Sequence, residues 1–507
     1  MKLFIVHYHL RPGGVRRVIE LATPHLVQRL GVAITLVVGE EPDAGWLRAF
    51  RESVAPQAVE VFVDASLGYL DSWATDRDAE PSALEARVAQ ALRAGLAGEG
   101  LVWAHNLALG RNLFLARQLT EICGERELPL LSQHHDWWCD NRWARWTDAR
   151  RCGFRSLRAV AAAILPEGPG IAHVAINSAD AAILRRHFSR RAHWLPNPVE
   201  HADRNPDESA IRHATPSAPV WLMPCRILRR KNIAEALLLT RWLRPEARLV
   251  VTGGADEPDE QPYATALQAA AREHGWAVDF GAARSSASVA ALFAECEAVV
   301  FTSIQEGFGL PALEAAAAGK PLLARRLPLV TPDLDTFGFR FPHSYDELLI
   351  DPSLFDWTAE TERQRARWKA WRRLLPRTVR WRVGTPILLA SPDTPRPVPF
   401  SRLTLPAQIE VLRQPLAQSW ERCAPLNPAL RDWQPLAEKG RLQITAWPPR
   451  ADRWLCGSAY AENFVSILSS AIGDVPKEAN GAAAQTEFIR SRLDSSQIYP
   501  LLWSPEV

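Results

Sequence analysis

The chain has 507 residues, enough for two large domains or three smaller ones. With 47% hydrophobic and 23% charged residues it has the composition of an ordinary globular protein, which excludes wholesale disorder, a collagen repeat and a disulfide mini-protein. Lys+Arg is 59 and Asp+Glu is 57, a balance too even for a protein devoted to nucleic acid.

The first expected strand is Leu3 to Tyr8, followed by the loop Arg11-Pro12-Gly13-Gly14 and an amphipathic helix from Val15 to about Leu30. Val32 to Val38 is apolar nearly throughout and reads as a buried parallel strand, completing a β-loop-α-β unit. Further strands are expected at Leu101–Ala104, Leu128–Ser132 and Val174–Asn177. No apolar run approaches the ~20 residues that span a bilayer. The stretch from Ala159 to Ile176 comes nearest and is broken by Pro166, Glu167, Gly168, Pro169 and Gly170. The N-terminal apolar stretch is too short for a signal peptide. The seven Cys are scattered and free of CxxC pairs, as expected in a reducing cytoplasm and not of a Cys-rich zinc site. The expected location is therefore cytoplasmic.

His193 to Val199 reads as a hinge, and the polar stretch from Glu200 to Pro219 as a linker. The β-α alternation then restarts. A strand at Val220–Cys225, a loop at Arg226–Lys231, a helix at Asn232–Leu243 and a strand at Arg248–Thr252 are followed by the turn Gly253-Gly254. Later strands are expected at Ala277–Phe280, Ala298–Thr302 and Pro321–Ala324. Two successive α/β halves predict two facing Rossmann-like, doubly wound domains, residues 1–200 and 201–375. Residues 376–507 read as a mostly helical C-terminal extension that crosses back to the first domain. Its expected helices are Leu405–Leu416, Ala459–Ala471 and Thr486–Leu493, with Pro386–Pro399 irregular and Gly473–Ala484 a flexible surface loop.

The strongest motif is Ser303-Ile304-Gln305-Glu306-Gly307-Phe308-Gly309-Leu310-Pro311-Ala312-Leu313-Glu314. It follows an apolar strand and opens an Ala-rich helix whose first turn accepts Pro311. Glycines let backbone N–H groups approach a ligand, and the helix N-terminus suits phosphate or polyhydroxyl groups. Two Glu separated by a turn can serve one cleft, and ionised carboxylates accept hydrogen bonds from sugar and ribose hydroxyls.

Glu306 to Glu314 resembles the E-x7-E signature of retaining GT-B glycosyltransferases, most closely family GT4. Other anchors follow in the family's order. Gly13-Gly14 resembles the glycine loop after the first strand. Trp103-Ala104-His105-Asn106 resembles its "HxH" strand end with Trp103 replacing the first His. His135-Asp136 resembles its "HD", Pro196-Asn197-Pro198-Val199 its "pNpv", and Arg226 with Lys231 its Arg-x4-Lys clamp. The resemblance covers about residues 1 to 345.

The resemblance implies transfer of a sugar from a nucleotide-diphosphate sugar to a hydroxyl acceptor, with retention and without cofactor or metal. Arg226 and Lys231 would bind the donor diphosphate, with Gly13 and Gly14 beside it. Glu306, Gly307, Phe308, Gly309 and Leu310 would hold the donor sugar and Glu314 the ribose. His135 would contact the reacting sugar, with the adjacent His134 as the alternative. On this reading His135, Glu306, Arg226 and Lys231 form the catalytic set. The acceptor is expected to be a small sugar or polyol acid, a glycan or a lipid-linked saccharide. Candidates to read it, an anionic group included, are His105, His134, Asp136, Trp137, Arg142 and Arg145, because Trp faces stack on sugars and guanidinium forks hold carboxylate or phosphate.

The stretch Arg363 to Arg382 carries nine basic residues with Trp368, Trp371 and Trp381. A helix lying on an anionic membrane has this composition, but packing behind the second domain is the preferred reading. The alternative functions are a glycan phosphorylase or a non-catalytic sugar-nucleotide-binding protein on the same fold. A nicotinamide enzyme is disfavoured because neither half has G-x-G-x-x-G after a strand.

Overall fold

Lys2 to His7 is apolar toward both sheet faces, and this run forms β1 (Lys2–His7) at the centre of a parallel sheet. With β2 (Ala33–Val38), β3 (Val59–Val63), β4 (Gly100–His105), β5 (Leu130–His134), β6 (Ile171–Ala175) and β7 (Ala192–Trp194), the order is β3-β2-β1-β4-β5-β6-β7. The direction of winding changes between β1 and β4, so the loops after these strands meet at one crevice, where doubly wound folds bind ligands. The structure, a computed structural model, describes residues 1–74, 80–200, 218–255, 257–284, 289–471 and 479–503.

The second sheet repeats the plan. β8 (Val220–Met223), β9 (Arg248–Val251), β10 (Val278–Phe280), β11 (Ala298–Phe301), β12 (Leu322–Arg325) and β13 (His343–Tyr345) run parallel in the order β10-β9-β8-β11-β12-β13. The helix Ile233–Leu243 is buried almost all round, because the sheet lies on one side and the helices Leu405–Arg413 and Pro428–Glu438 on the other. That is why its sequence, IAEALLLTRWL, has no solvent face.

The chain divides into two compact units. Residues 1–200, 374–382 and 450–492 form the first, and 201–373, 383–449 and 493–507 the second. The α/β class, the two Rossmann-like sheets and a mostly helical C-terminal region are therefore present, as GT-B architecture requires. The C-terminal region does not behave as one block. The helix Gly457–Ala471 packs on Gly14–Leu30, where a Cβ on Gly457 would overlap the His25 ring. The helix Gly481–Arg492 lies against Leu157–Ile164 and Ser178–Phe188. Helices 405–413, 416–423 and 428–438 instead complete the second unit.

Several local expectations need correction. The strands β3, β7 and β13 were not anticipated; β3 is a half-buried edge, and β7 and β13 are three residues each, too short to show a period. In the stretch expected as a hinge, Leu195 to Val199 is buried, and the Val199 N–H donates to the Leu455 carbonyl at 2.8 Å. The linker reading falls mostly on 201–217, outside the described residues, as do residues 473–478 of the expected loop at 473–484; residues 481–484 are the first turn of a helix.

Candidate functional site

In the second unit the site is built at the C-terminal ends of β8 and β11. After β8 the chain turns through Arg226, and Arg229–Lys231 forms a single helical turn closed by Asn232 in the left-handed region (φ 52°). Thr302 Oγ1 donates to the carbonyls of Lys231 and Asn232, both at 3.1 Å, and Ile304 N–H donates to the Arg230 carbonyl at 2.8 Å. The basic turn and the Glu306 loop are therefore stitched together through backbone.

Glu306 occupies the middle of this arrangement. Its Oε1 accepts from Lys231 Nζ and from Ser303 Oγ at 2.7 Å, and its Oε2 accepts from Arg230 Nη1 at 2.7 Å. Arg230 Nη1 also donates to the Gln305 carbonyl at 3.0 Å. Burial pushes the Glu306 carboxyl up, but the Arg230 and Lys231 charges and the hydrogen bonds outweigh it and hold the group down at about 2. A buried carboxylate is thus ionised because two cations and a hydroxyl replace its water. Arg226 stands apart, half-exposed, with Glu257 3.6 Å away. Gly253 lies under it, and a Cβ there would come within 2.9 Å of the Arg226 Cα.

Gly309 caps the helix Leu310–Ala317 at φ 81°, and a Cβ there would overlap Val330. Glycine is required at this position on both counts. Phe308 is buried, Gly307, Leu310 and Glu314 are partly exposed, and Glu314 lies one turn into the helix. Sequence reasoning missed Arg230. The sequence reading gives it no role within the loop Arg226–Lys231, whereas in the structure Arg229 turns to Glu260 (3.2 Å) and Arg230 turns to Glu306.

In the first unit, Gly13 and Gly14 are exposed at the start of the helix Gly14–Leu30. The histidines cluster at the ends of β1, β4 and β5. His7 Nδ1 donates to the His105 carbonyl at 3.2 Å, and His105 Nδ1 lies 3.1 Å from His135 Nε2. Burial lowers His7, His105 and His134 well below the ordinary 6.5, and lowers His135 to about 4 despite the opposing Asp136 charge. The site is therefore a set of neutral imidazoles. Asn106, in the left-handed region at φ 62°, accepts on Oδ1 from the N–H groups of His135 (3.3 Å) and Asp136 (2.9 Å) and fixes that turn.

The structure removes some acceptor candidates. His134 is buried with its Nε2 3.1 Å from His173 Nδ1 and its ring stacked on Trp137, so it offers nothing outward. Trp137 is 2% exposed, stacked on Phe488 at 3.8 Å, with Nε1 donating to Asp180 at 2.9 Å; no face remains for a sugar. His105 is fully buried and its Nδ1 faces His135, so it presents no surface to an acceptor. Arg492 donates to Asp140 (2.7 Å) and Asp180 (2.9 Å) and locks this Trp-rich loop under the helix Gly481–Arg492. The partner of the loop lies some 350 residues away in sequence, so no local signal announced it. Asp136, Arg142 and Arg145 remain partly exposed, with Arg142 3.7 Å from Asp136 and Arg145 donating to the Leu109 carbonyl.

Among the described residues no three His, Cys, Asp or Glu side chains converge as a metal site, and no helix is long and apolar enough to cross a membrane.

Residues 207–332 match the model of the family described as glycosyl transferases group 1. The chain is similar to mannosylglucosyl-3-phosphoglycerate synthase of Petrotoga mobilis, at 26% identity over 370 residues, 69% of each chain. Among solved structures it is similar to Anabaena HepE in complex with UDP and glucose, at 18% identity over 64% of this chain and 81% of that one, with a TM-score of 0.45. It is also similar to a glycosyltransferase from Rickettsia africae, at 11% identity over 93% and 99%, with a TM-score of 0.47.

Proposed function

We propose that this chain, whose residues 207–332 match the model of glycosyl transferases group 1, transfers a sugar, with retention, from a nucleotide-diphosphate sugar to a hydroxyl of an anionic acceptor. The observation that carries the donor half is the buried, ionised Glu306 held between Lys231 and Arg230 beside a glycine-capped helix start. A carboxylate fixed in this way accepts hydrogen bonds from sugar hydroxyls, and the surrounding cations suit a diphosphate.

In this reading Arg226 and Lys231 take the donor diphosphate, and the turn from Gly307 to Leu310 presents backbone to the sugar. Glu314 accepts from the ribose. Gly13 and Gly14 are exposed at a helix start in the first unit, where backbone N–H groups suit a phosphate. As the bond from the sugar C1 to the β-phosphate oxygen breaks, negative charge grows on that phosphate. The cations there stabilise the transition state more than the bound donor. The acceptor oxygen bonds to C1 on the same face, and its proton passes to the departing phosphate oxygen. No protein nucleophile and no metal is assigned a step. His135, neutral near pH 7, contributes a hydrogen bond to the reacting sugar rather than a full charge.

The anionic acceptor rests on Arg142 and Arg145, partly exposed after β5, and on a relative whose name describes a sugar-linked phosphoglycerate. A small sugar or polyol acid fits both. Thermal stabilisation by UDP, GDP and ADP tests the donor half. One nucleotide is expected to raise Tm selectively, and Arg226→Ala should abolish the rise. A folded protein that responds to none of them would overturn the assignment in favour of a phosphorylase or a non-catalytic binding protein.

A further inference from the structure

Two histidine pairs sit side by side at the end of the first sheet, and one fixes the rule for reading the other. His173 Nε2 lies 3.0 Å from the Pro166 carbonyl. A carbonyl only accepts, so His173 carries its proton on Nε2. Burial holds His173 near 4, so it is neutral and its Nδ1 is bare. His134 Nε2, 3.1 Å from that bare nitrogen, must then be the donor. The remaining His134 nitrogen, Nδ1, is also bare, and it is buried without a hydrogen-bond partner. The fold therefore accepts an orphaned imidazole nitrogen when that nitrogen carries no proton.

The second pair poses the same question. His105 Nδ1 and His135 Nε2 are 3.1 Å apart and share one proton, and His105 Nε2 is buried without a partner. Placing the proton on His105 Nε2 would bury an N–H donor with nothing to receive it, which native structures rarely do. Placing it on Nδ1 leaves the bare orphan already seen at His134. The His105 ring has little freedom to reverse this. The Trp103 ring packs on it with centroids 4.3 Å apart, and Trp103 Nε1 is itself tied to Gln133 Oε1 at 2.8 Å. The His7 donation to the His105 carbonyl fixes the backbone of the same residue.

We infer that His105 is a positioning residue: its Nδ1–H donates to His135 Nε2 and so holds His135 as the tautomer with its proton on Nδ1. His135 is 9% exposed, more than His7, His105, His134 or His173, and among the described contacts no hydrogen bond engages its Nδ1. The relay thus turns a neutral imidazole into a dedicated donor at the edge of the site, one that gives a hydrogen bond to an oxygen of the sugar or acceptor. This use of the donor rests on the transferase reading above; the tautomer itself does not.

The test separates the two. Protein labelled with 15N in its histidine rings is measured by long-range 1H–15N correlation near pH 7.5, with His135 assigned by its loss in His135→Gln. The expected pattern is a protonated-type Nδ1 and a bare-type Nε2 on His135; the reverse pattern overturns the inference whether or not transfer is observed. His105→Asn keeps an N–H near the place of Nδ1 and should preserve the His135 pattern. His105→Leu removes it, and His135 should shift toward the Nε2–H form. Transfer by His105→Leu should fall about tenfold in kcat, the worth of one oriented hydrogen bond, and His105→Asn should restore most of it. An unchanged His135 pattern in folded His105→Leu would also overturn the inference. Should His105→Leu not fold, the wild-type spectrum still decides.

Discussion

The two polar clusters solve the same problem in opposite ways. Both lie at strand ends in doubly wound sheets, and both are largely out of water. In the second unit the buried groups stay charged, and Glu306 is matched by Lys231 and Arg230. In the first unit the buried groups give up charge, and five histidines become neutral donors and acceptors for one another or for carbonyls. The difference follows from what surrounds them. Glu306 has cations within hydrogen-bond reach, whereas the histidines face mainly each other, and a second positive charge there would be repelled. A charged cluster can bind and stabilise a diphosphate; a neutral one can orient hydroxyls without competing for it.

The largest predicted effects break the charged cluster. Lys231→Ala should lower kcat by about 10²–10³, the usual loss of a cation that stabilises developing charge. Glu306→Gln leaves Lys231 and Arg230 partly unmatched in a buried place and should destabilise the second unit by about 3 kcal/mol. Transfer kinetics and denaturant melts check the two. Unchanged stability in Glu306→Gln would mean that water, not the carboxylate, satisfies those cations.

The charged cluster was largely legible in the sequence because its parts are local: a loop after one strand, a glycine turn after another, each with its residue types in order. Arg230 was not, because two adjacent arginines in a loop look alike until the helical turn Arg229–Lys231 points them to different partners. The neutral cluster was less legible. His134 and His135 are neighbours, and only strand alternation decides that one points into the core toward His173 and the other toward His105. The Trp-rich loop looked like a sugar platform because its covering helix, Gly481–Arg492, comes from the far end of the chain.

Acid should separate the two units. The buried histidines have folded-state pKa values below the ordinary 6.5, so the unfolded chain binds more protons. Their contribution is whole above pH 6.5 and is lost as pH falls toward 4. Glu306 is also depressed, from 4.5 to about 2, so its contribution is whole above pH 4.5 and is lost only below that. Between pH 7 and 5 the first unit should weaken while the Glu306 cluster holds. Hydrogen exchange, corrected for intrinsic rates, should show peptides around β1, β4, β5 and β6 losing protection first. Equal loss in peptides around β8 and β11 would show that the histidines are not the acid-sensitive element.

The smallest predicted effect distinguishes two neighbours within the charged cluster. Arg229 donates to Glu260 from its backbone N–H at 2.8 Å and from its side chain, and among the described contacts no hydrogen bond joins that pair to Glu306. Arg230 donates to Glu306 and to the Gln305 carbonyl, so it sets both the charge and the path of the carboxylate loop. Arg230→Ala should lower kcat about tenfold and let the Glu306 pKa rise, because only Lys231 and the Ser303 hydroxyl then oppose burial. Arg229→Ala should leave kcat within about threefold and cost about 1 kcal/mol of stability, the ordinary worth of a partly exposed pair. Measured kcat values and melts of the two variants decide. Equal losses of activity would mean that the basic turn acts as a diffuse positive patch, and that the hydrogen bonds to Glu306 carry no more of the chemistry than charge alone.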